Sequence, residues 1–133
     1  IKRNPLVKPT VKRYLASHVQ SRFRAITSEE MMAAVLLPVQ RFVTKGIEGF
    51  SLNSEQYYMH IDPSINIIAT TVFNGDHDPW IEGVEMPVVW TKTYGKGKIF
   101  YSSLGHSADI FEIPEVWKIM TRGVTWAVSK NMN

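Results

Sequence analysis

The chain has 133 residues, which is enough for one compact domain and too few for two of ordinary size. Hydrophobic residues make up 44% of it and charged residues 20%, a balance that excludes an intrinsically disordered chain. Cysteine is absent, which excludes disulfides, thiolate metal ligands and a cysteine nucleophile from this stretch. No apolar run is long enough to span a bilayer and no signal-peptide pattern opens the sequence, so we expect a cytoplasmic protein without a membrane partner.

Charge is distributed unevenly along the chain. The net charge is +3, yet residues 1–26 carry seven basic side chains and no acidic one, so the remainder is acidic. A basic segment of this kind can bind nucleic acid or another anionic surface. It can equally form a solvated helix face or pack on an acidic neighbour. Because its basic residues are not interleaved with stacking aromatics, we disfavour nucleic acid as a partner.

Two helices are predicted ahead of Pro38. Apolar residues at i, i+3, i+4 and i+7 spacing predict an amphipathic helix over residues 10–26, capped by Thr10. Thr27 and Glu30 form a capping-box pattern that begins a second, short helix, and Pro38 would end it. The run Val-Leu-Leu at residues 35–37 is also compatible with a buried strand.

Beyond Pro38 the composition becomes that of a β-rich region that closes with a helix. Four runs rich in β-branched and aromatic residues predict strands, at residues 54–60, 65–73, 86–93 and 98–103. Gly95 and Gly97 predict a hairpin turn between the last two strands. Pro114 opens the final helix. Its predicted apolar face consists of Val116, Ile119, Met120, Val124 and Ala127.

Several stretches of this region are similar to one protein family. They are residues 55–63, 69–71, 79–83, 86–91 and 94–106, followed by the helix at 114–127. The most specific string is Gly-x-Gly-x-x-Phe-Tyr-x-x-x-Gly-His, which runs from Gly95 to His106. Over residues 44–130 the chain resembles the trehalose-utilization (ThuA-like) family. Upstream the resemblance is poor, because Ile26 and Thr27 stand where the family has a His-Pro pair.

The resemblance implies an α/β fold, the C-terminal portion of a flavodoxin-like (class I glutamine amidotransferase-like) sheet with flanking helices. We expect residues 1–133 to form a single domain, with a helical, basic segment at 1–43 and the ThuA-like portion at 44–130. The first strands of the family's sheet have no counterpart, so the chain is expected to be a C-terminal portion, a degenerate domain, or a domain completed by another chain, as in a homo-oligomer. Without cysteine it is not a Cys-dependent amidotransferase.

The resemblance makes His106 the candidate acid–base residue. It follows the predicted strand at 98–103, and ligands of parallel α/β sheets bind beyond the carboxyl ends of strands. Histidine changes charge near neutral pH, which suits proton transfer. A structural histidine at the end of the sheet is the alternative. Glu55 matches the family's Glu-Gln-Tyr-Tyr string and would orient His106 or bind sugar hydroxyls, unless it is an ordinary strand-end carboxylate.

Aromatic residues are the candidate walls of a sugar-binding cleft, because the faces of pyranose rings pack on aromatic rings. These candidates are Tyr57, Trp80, Trp90 and Tyr101. His60 and Asp62, together with residues 76–78, carry side chains that ligate divalent metals. Neither spacing is that of a recognised site, so we expect no metal and no cofactor.

These residues and the resemblance together predict a protein that binds or transforms a small carbohydrate, trehalose or a related sugar. The cleft would lie at the carboxyl edge of the sheet. Whether the chain is an enzyme is left open. The alternative is a non-catalytic interaction module or a degenerate subunit, because an incomplete sheet leaves an exposed edge that must be paired.

Overall fold

The computed structural model describes residues 18–25, 38–76 and 78–130. They contain five strands, β1 His18–Ala25, β2 Phe50–Glu55, β3 Asn66–Val72, β4 Glu85–Tyr94 and β5 Gly97–Ser102. Two α-helices, α1 Pro38–Thr44 and α2 Pro114–Val128, and two short 3-10 turns, Pro79–Ile81 and Ala108–Glu112, complete the described elements. None of these helices is long and apolar enough to cross a membrane.

The strands form one sheet in the order β2-β1-β3-β4-β5. Every neighbouring pair is antiparallel. As a result β2, β3 and β5 point in one direction, and β1 and β4 point in the other. The C-terminal ends of β2 and β5 therefore lie at the same end of the strands, although these two strands are the first and the last in the sheet order. Glu55 is the last residue of β2, and the segment that follows β5 brings His106 into contact with it.

The main hydrophobic core lies between the sheet and the two α-helices. Its buried members come from β2, β3 and β4, from both α-helices, and from the loops and the 3-10 turn beside them. They are Val43, Ile47, Leu52, Ile68, Ala69, Val88, Val89, Leu104, Ile110, Val116, Ile119 and Trp126. The contact between α2 and β5 is closest at Gly123, where an added Cβ would lie 2.1 Å from the Phe100 ring. Phe100 thus faces α2, and because side chains alternate along a strand, Ile99 and Tyr101 face the opposite side of the sheet.

The structure confirms the predicted α/β class in its broad sense, as well as most elements beyond residue 60. β3, β4, β5 and α2 lie within one residue of the predicted strands and the predicted start of the final helix. Gly95 has the positive φ, 57°, that the hairpin turn requires. On α2 the predicted face is partly wrong, because Val124 is exposed while Gly123 and Trp126 are buried.

The helix predicted over residues 10–26 is wrong for residues 18–25, which form β1. This strand pairs with β2 on one side and with β3 on the other, so partners distant in sequence overrode the local helical spacing. The sequence also contains a competing signal, since polar and apolar or small residues alternate strictly from His18 to Ala25. The first part of that helix, and the second helix over residues 27–37, lie outside the described residues.

Pro38 begins α1, a helix that was not predicted, and proline suits this position because the first turn of a helix does not use the missing N–H. One further boundary differs from the prediction. The strand expected at 54–60 is instead β2, which ends at Glu55. Beyond that point Gln56 is buried and its amide donates to the Thr71 hydroxyl and to the carbonyl of Val72, so the chain leaves the ladder.

Candidate active site beside His106

The carboxylate of Glu55 contacts two other side chains at the C-terminal end of β2. The Tyr57 hydroxyl donates a hydrogen bond to Oε2 of Glu55 over 2.5 Å. Nδ1 of His106 lies 3.2 Å from the same oxygen. The Glu55 side chain is only 9% exposed whereas that of His106 is 48% exposed, so the carboxylate lies behind the imidazole. This arrangement fixes the orientation of a ring that solvent and ligands can reach.

The backbone on either side brings these groups together. Glu55 is the last residue of β2, and in the extended chain beyond it Tyr57 returns to the same side two residues later. His106 follows β5 after a bend at Gly105, whose φ is 126°. A Cβ at Gly105 would also lie 2.9 Å from the Phe111 ring. Glycine is therefore required at this position both by backbone conformation and by space.

The Glu55 contact changes the protonation behaviour of Tyr57. Its hydrogen bond to the carboxylate, together with burial, raises the pKa of Tyr57 to about 12. Burial also raises the pKa of Tyr101. Tyr57 consequently remains a hydrogen-bond donor to Glu55 across the physiological pH range.

An open hollow of about 510 Å³ lies in front of the imidazole. It is lined by Tyr57, Tyr58, Met59, Tyr101, Ser102, Ser103, Leu104, Gly105 and His106. Tyrosine rings supply flat apolar surface, and the serine and tyrosine hydroxyls supply donors and acceptors. A hollow of this size and mixed character fits a small polar molecule with an apolar face.

Comparison with protein families identifies the chain. The family model of ThuA, described as trehalose utilisation, matches residues 14–127. The chain belongs to the ThuA family. No curated protein and no solved structure matches it. The match begins well upstream of residue 44, so the family region extends further toward the N-terminus than the sequence resemblance indicated.

The ThuA chain brings four of the six predicted site residues together, namely Glu55, Tyr57, Tyr101 and His106. Trp90 does not line the hollow; its ring stacks on Tyr101 at 4.7 Å between centroids and 14° between planes. Trp80 does not line the hollow either. It lies on the 3-10 turn Pro79–Ile81, where its ring meets the edge of Tyr58 at 5.2 Å. The catalytic and binding roles of all six residues stay predictions.

Sequence reasoning did not anticipate some features of this site. The hydrogen bond from the Tyr57 hydroxyl to Glu55 was not predicted; the i, i+2 spacing of the two residues was the available signal. Ser102 ends β5 and Ser103 follows it, and both line the hollow ahead of His106, a position that their place in the family string could have indicated.

The described residues contain no cluster of three or more His, Asp or Glu side chains placed to hold a metal. Asp62, considered above as a ligand, instead accepts hydrogen bonds from the backbone and hydroxyl of Ser64 and pairs with Lys92. Asp76 accepts one hydrogen bond from the side-chain amide of Asn74. His77 lies outside the described residues.

The raised pKa of Tyr57 predicts a late-ionising tyrosine. Because the protonated phenol is favoured in the folded state, its contribution to stability is complete below the ordinary tyrosine pKa of about 10 and is lost as pH rises through about 12. A tyrosinate absorbance titration of the folded protein should show this late step, and Tyr57→Phe should remove it. Tyr94→Phe, on a ring that is 78% exposed, is the matched control and should leave the late step in place. A folded protein whose tyrosines all ionise together near pH 10 would contradict the geometry.

Proposed function

We propose that the protein binds trehalose or a related sugar in the hollow beside His106 and transfers a proton there by acid–base chemistry. The observation that carries the proposal is the position of Glu55 Oε2, 3.2 Å from His106 Nδ1 and 2.5 Å from the Tyr57 hydroxyl. The family description, trehalose utilisation, supports a sugar as the ligand. The tyrosine rings and hydroxyls that line the hollow support the same class of ligand.

The Glu55 contact determines which imidazole nitrogen would act. A proton on Nδ1 points at the carboxylate, which makes Nε2 the basic nitrogen of the ring. In this role His106 accepts a proton from a sugar O–H or C–H group and later returns it, and Glu55 stabilises the imidazolium in between. Tyr57 is a positioning residue, because its hydroxyl holds the carboxylate in place.

Calorimetric titration with glucose, trehalose and a 3-keto sugar tests the proposal. We expect the protein to bind at least one of them, and we expect His106→Ala and Glu55→Gln each to weaken that binding about tenfold, a loss of roughly 1.4 kcal/mol. Glu48→Gln, which removes an exposed carboxylate away from the hollow, is the matched control and should bind as the wild type does. Absence of heat with every sugar, or unchanged affinity in His106→Ala, would refute the proposal.

We propose in addition that the sheet is the C-terminal portion of a flavodoxin-like domain and that the protein works in the cytoplasm. The family match over residues 14–127 supports the first point. The described sheet differs from the parallel sheet of such a domain, because every neighbouring pair of its strands is antiparallel.

A second candidate function is assembly with another chain, either a second copy or a subunit that completes the domain. It is favoured by apolar side chains on the outer side of α2, where Trp117, Val124 and Val128 are all more than half exposed. Their spacing of seven and then four residues places them on one stripe of the helix.

A further inference from the structure

We propose a second binding subsite, for a second hydroxylated ring such as the other unit of a disaccharide, in the hollow between Trp90 and the Lys92–Asp62 pair. This inference rests on the proposed function, since it extends the ligand bound beside His106. The second hollow has a volume of about 310 Å³. It is lined by Met59, His60, Ile61, Asp62, Ile65, Pro87, Trp90, Lys92, Tyr94 and Ile99.

The two hollows are neighbours along the β4–β5 hairpin. Trp90 and Tyr101 are directly opposite each other in the strand register, and their rings stack at 4.7 Å. Tyr101 lines the hollow beside His106, and Trp90 lines the second hollow. Met59 lines both. A ligand of two rings joined by one oxygen could therefore place one ring in each hollow, with the stacked Trp90–Tyr101 pair between the two positions.

Both hollows also open on one side of the sheet. Trp90, Lys92 and Tyr94 occupy alternate positions of β4 and so share a face. Ile99 and Tyr101 share that face on β5, because Phe100 between them packs against α2. This face is covered in part by the segment at residues 59–65, which lines the second hollow together with residues of β4 and β5.

The chemistry of the second hollow matches a sugar ring. Its walls are mainly apolar, with Trp90, Ile65 and Ile99 among them, and suit the C–H face of a pyranose. At its rim the Lys92 ammonium contacts the Asp62 carboxylate, which places a donor and an acceptor side by side. Two neighbouring sugar hydroxyls can use this pair, one by accepting a hydrogen bond from the ammonium and the other by donating one to the carboxylate.

The acceptor at the rim is held in its ionised form. Lys92 and the backbone and hydroxyl of Ser64 keep the pKa of the Asp62 carboxyl below its usual range. Ser64 binds Oδ1, while Lys92 binds Oδ2. The side chains of Lys92 and Asp62 are 25% and 47% exposed, so an arriving hydroxyl can reach both.

The test compares one-ring and two-ring ligands by calorimetry, using glucose, trehalose, maltose and phenyl glucoside. We expect at least one disaccharide to bind about tenfold more tightly than glucose. Lys92→Met, which keeps the apolar stem, should reduce disaccharide affinity to that of glucose and leave glucose affinity unchanged. Asp62→Asn is the second variant and should act in the same direction. Lys96→Met, in the exposed hairpin turn, is the matched control and should change neither affinity.

The outcomes separate this inference from the proposed function. If glucose binding depends on His106 but disaccharide affinity is unchanged in Lys92→Met and Asp62→Asn, the second subsite is refuted and the proposed function stands. If phenyl glucoside binds more tightly than every disaccharide and is insensitive to Lys92→Met, the hollow takes an apolar group and the sugar subsite is likewise refuted. Absence of binding by every sugar would overturn both.

Discussion

Replacement of Trp126 by alanine is expected to lower the free energy of unfolding by about 3–5 kcal/mol. Trp126 is 4% exposed and belongs to the main core, where α2 meets the sheet. The Lys98 ammonium also lies 5.3 Å from the centre of its ring, so truncation removes a cation–π contact together with the packing. Urea denaturation followed by circular dichroism measures the loss.

The same helix provides a matched control for this substitution. Trp117 is 57% exposed, so Trp117→Ala should change the free energy of unfolding by no more than about 0.5 kcal/mol. Equal losses in the two variants would mean that α2 does not pack on the sheet through the face described above. They would also weaken the argument for the site, because α2 supports the strand that leads to His106.

Replacement of Gly123 by alanine is expected to destabilise the protein by about 1–3 kcal/mol. In the interior of a helix this change normally stabilises by about 0.5–1 kcal/mol, because glycine loses more conformational freedom on folding. Here the added Cβ would lie 2.1, 2.2 and 2.5 Å from three atoms of the Phe100 ring. The ring is packed against the main core and has little room to withdraw. The expected sign is therefore opposite to the intrinsic preference, and thermal or urea unfolding measures it.

A double-mutant cycle separates steric overlap from helix propensity. Once Phe100→Leu has removed the ring, Gly123→Ala should become neutral or stabilising, and the two substitutions should couple by about 0.5–3 kcal/mol. If Gly123→Ala stabilises the protein while Phe100 is still present, then α2 and β5 are further apart than described.

These packing contacts matter for the candidate site because its residues come from opposite edges of the sheet. Glu55 ends β2, the first strand in the sheet order, and His106 follows β5, the last. The distance of 3.2 Å between Glu55 Oε2 and His106 Nδ1 depends on the packing of the three strands between β2 and β5. It also depends on the position of the segment that contains Tyr57. A change that loosens β5 from α2 should therefore weaken ligand binding even though it lies outside both hollows.

The region beyond residue 60 was predictable because its signals are local. Runs rich in β-branched residues predict β3 and β4, Gly95 permits the hairpin turn, and Pro114 begins a helix with an apolar stripe. The string that ends in His106 identified the family, which the match over residues 14–127 shows. Each of these features depends on residues within a few positions of one another.

Tertiary structure decided the features whose causes lie far apart in the sequence. Residues 18–25 carry both helical and alternating patterns, and pairing with β2 and β3 selected the strand. Burial of Gln56 against Thr71 ended β2 early and turned Tyr57 toward Glu55. The division of the aromatic residues between two hollows likewise follows from the β4–β5 register. A local pattern specifies which conformations a segment favours, whereas long-range hydrogen bonds and burial select among them.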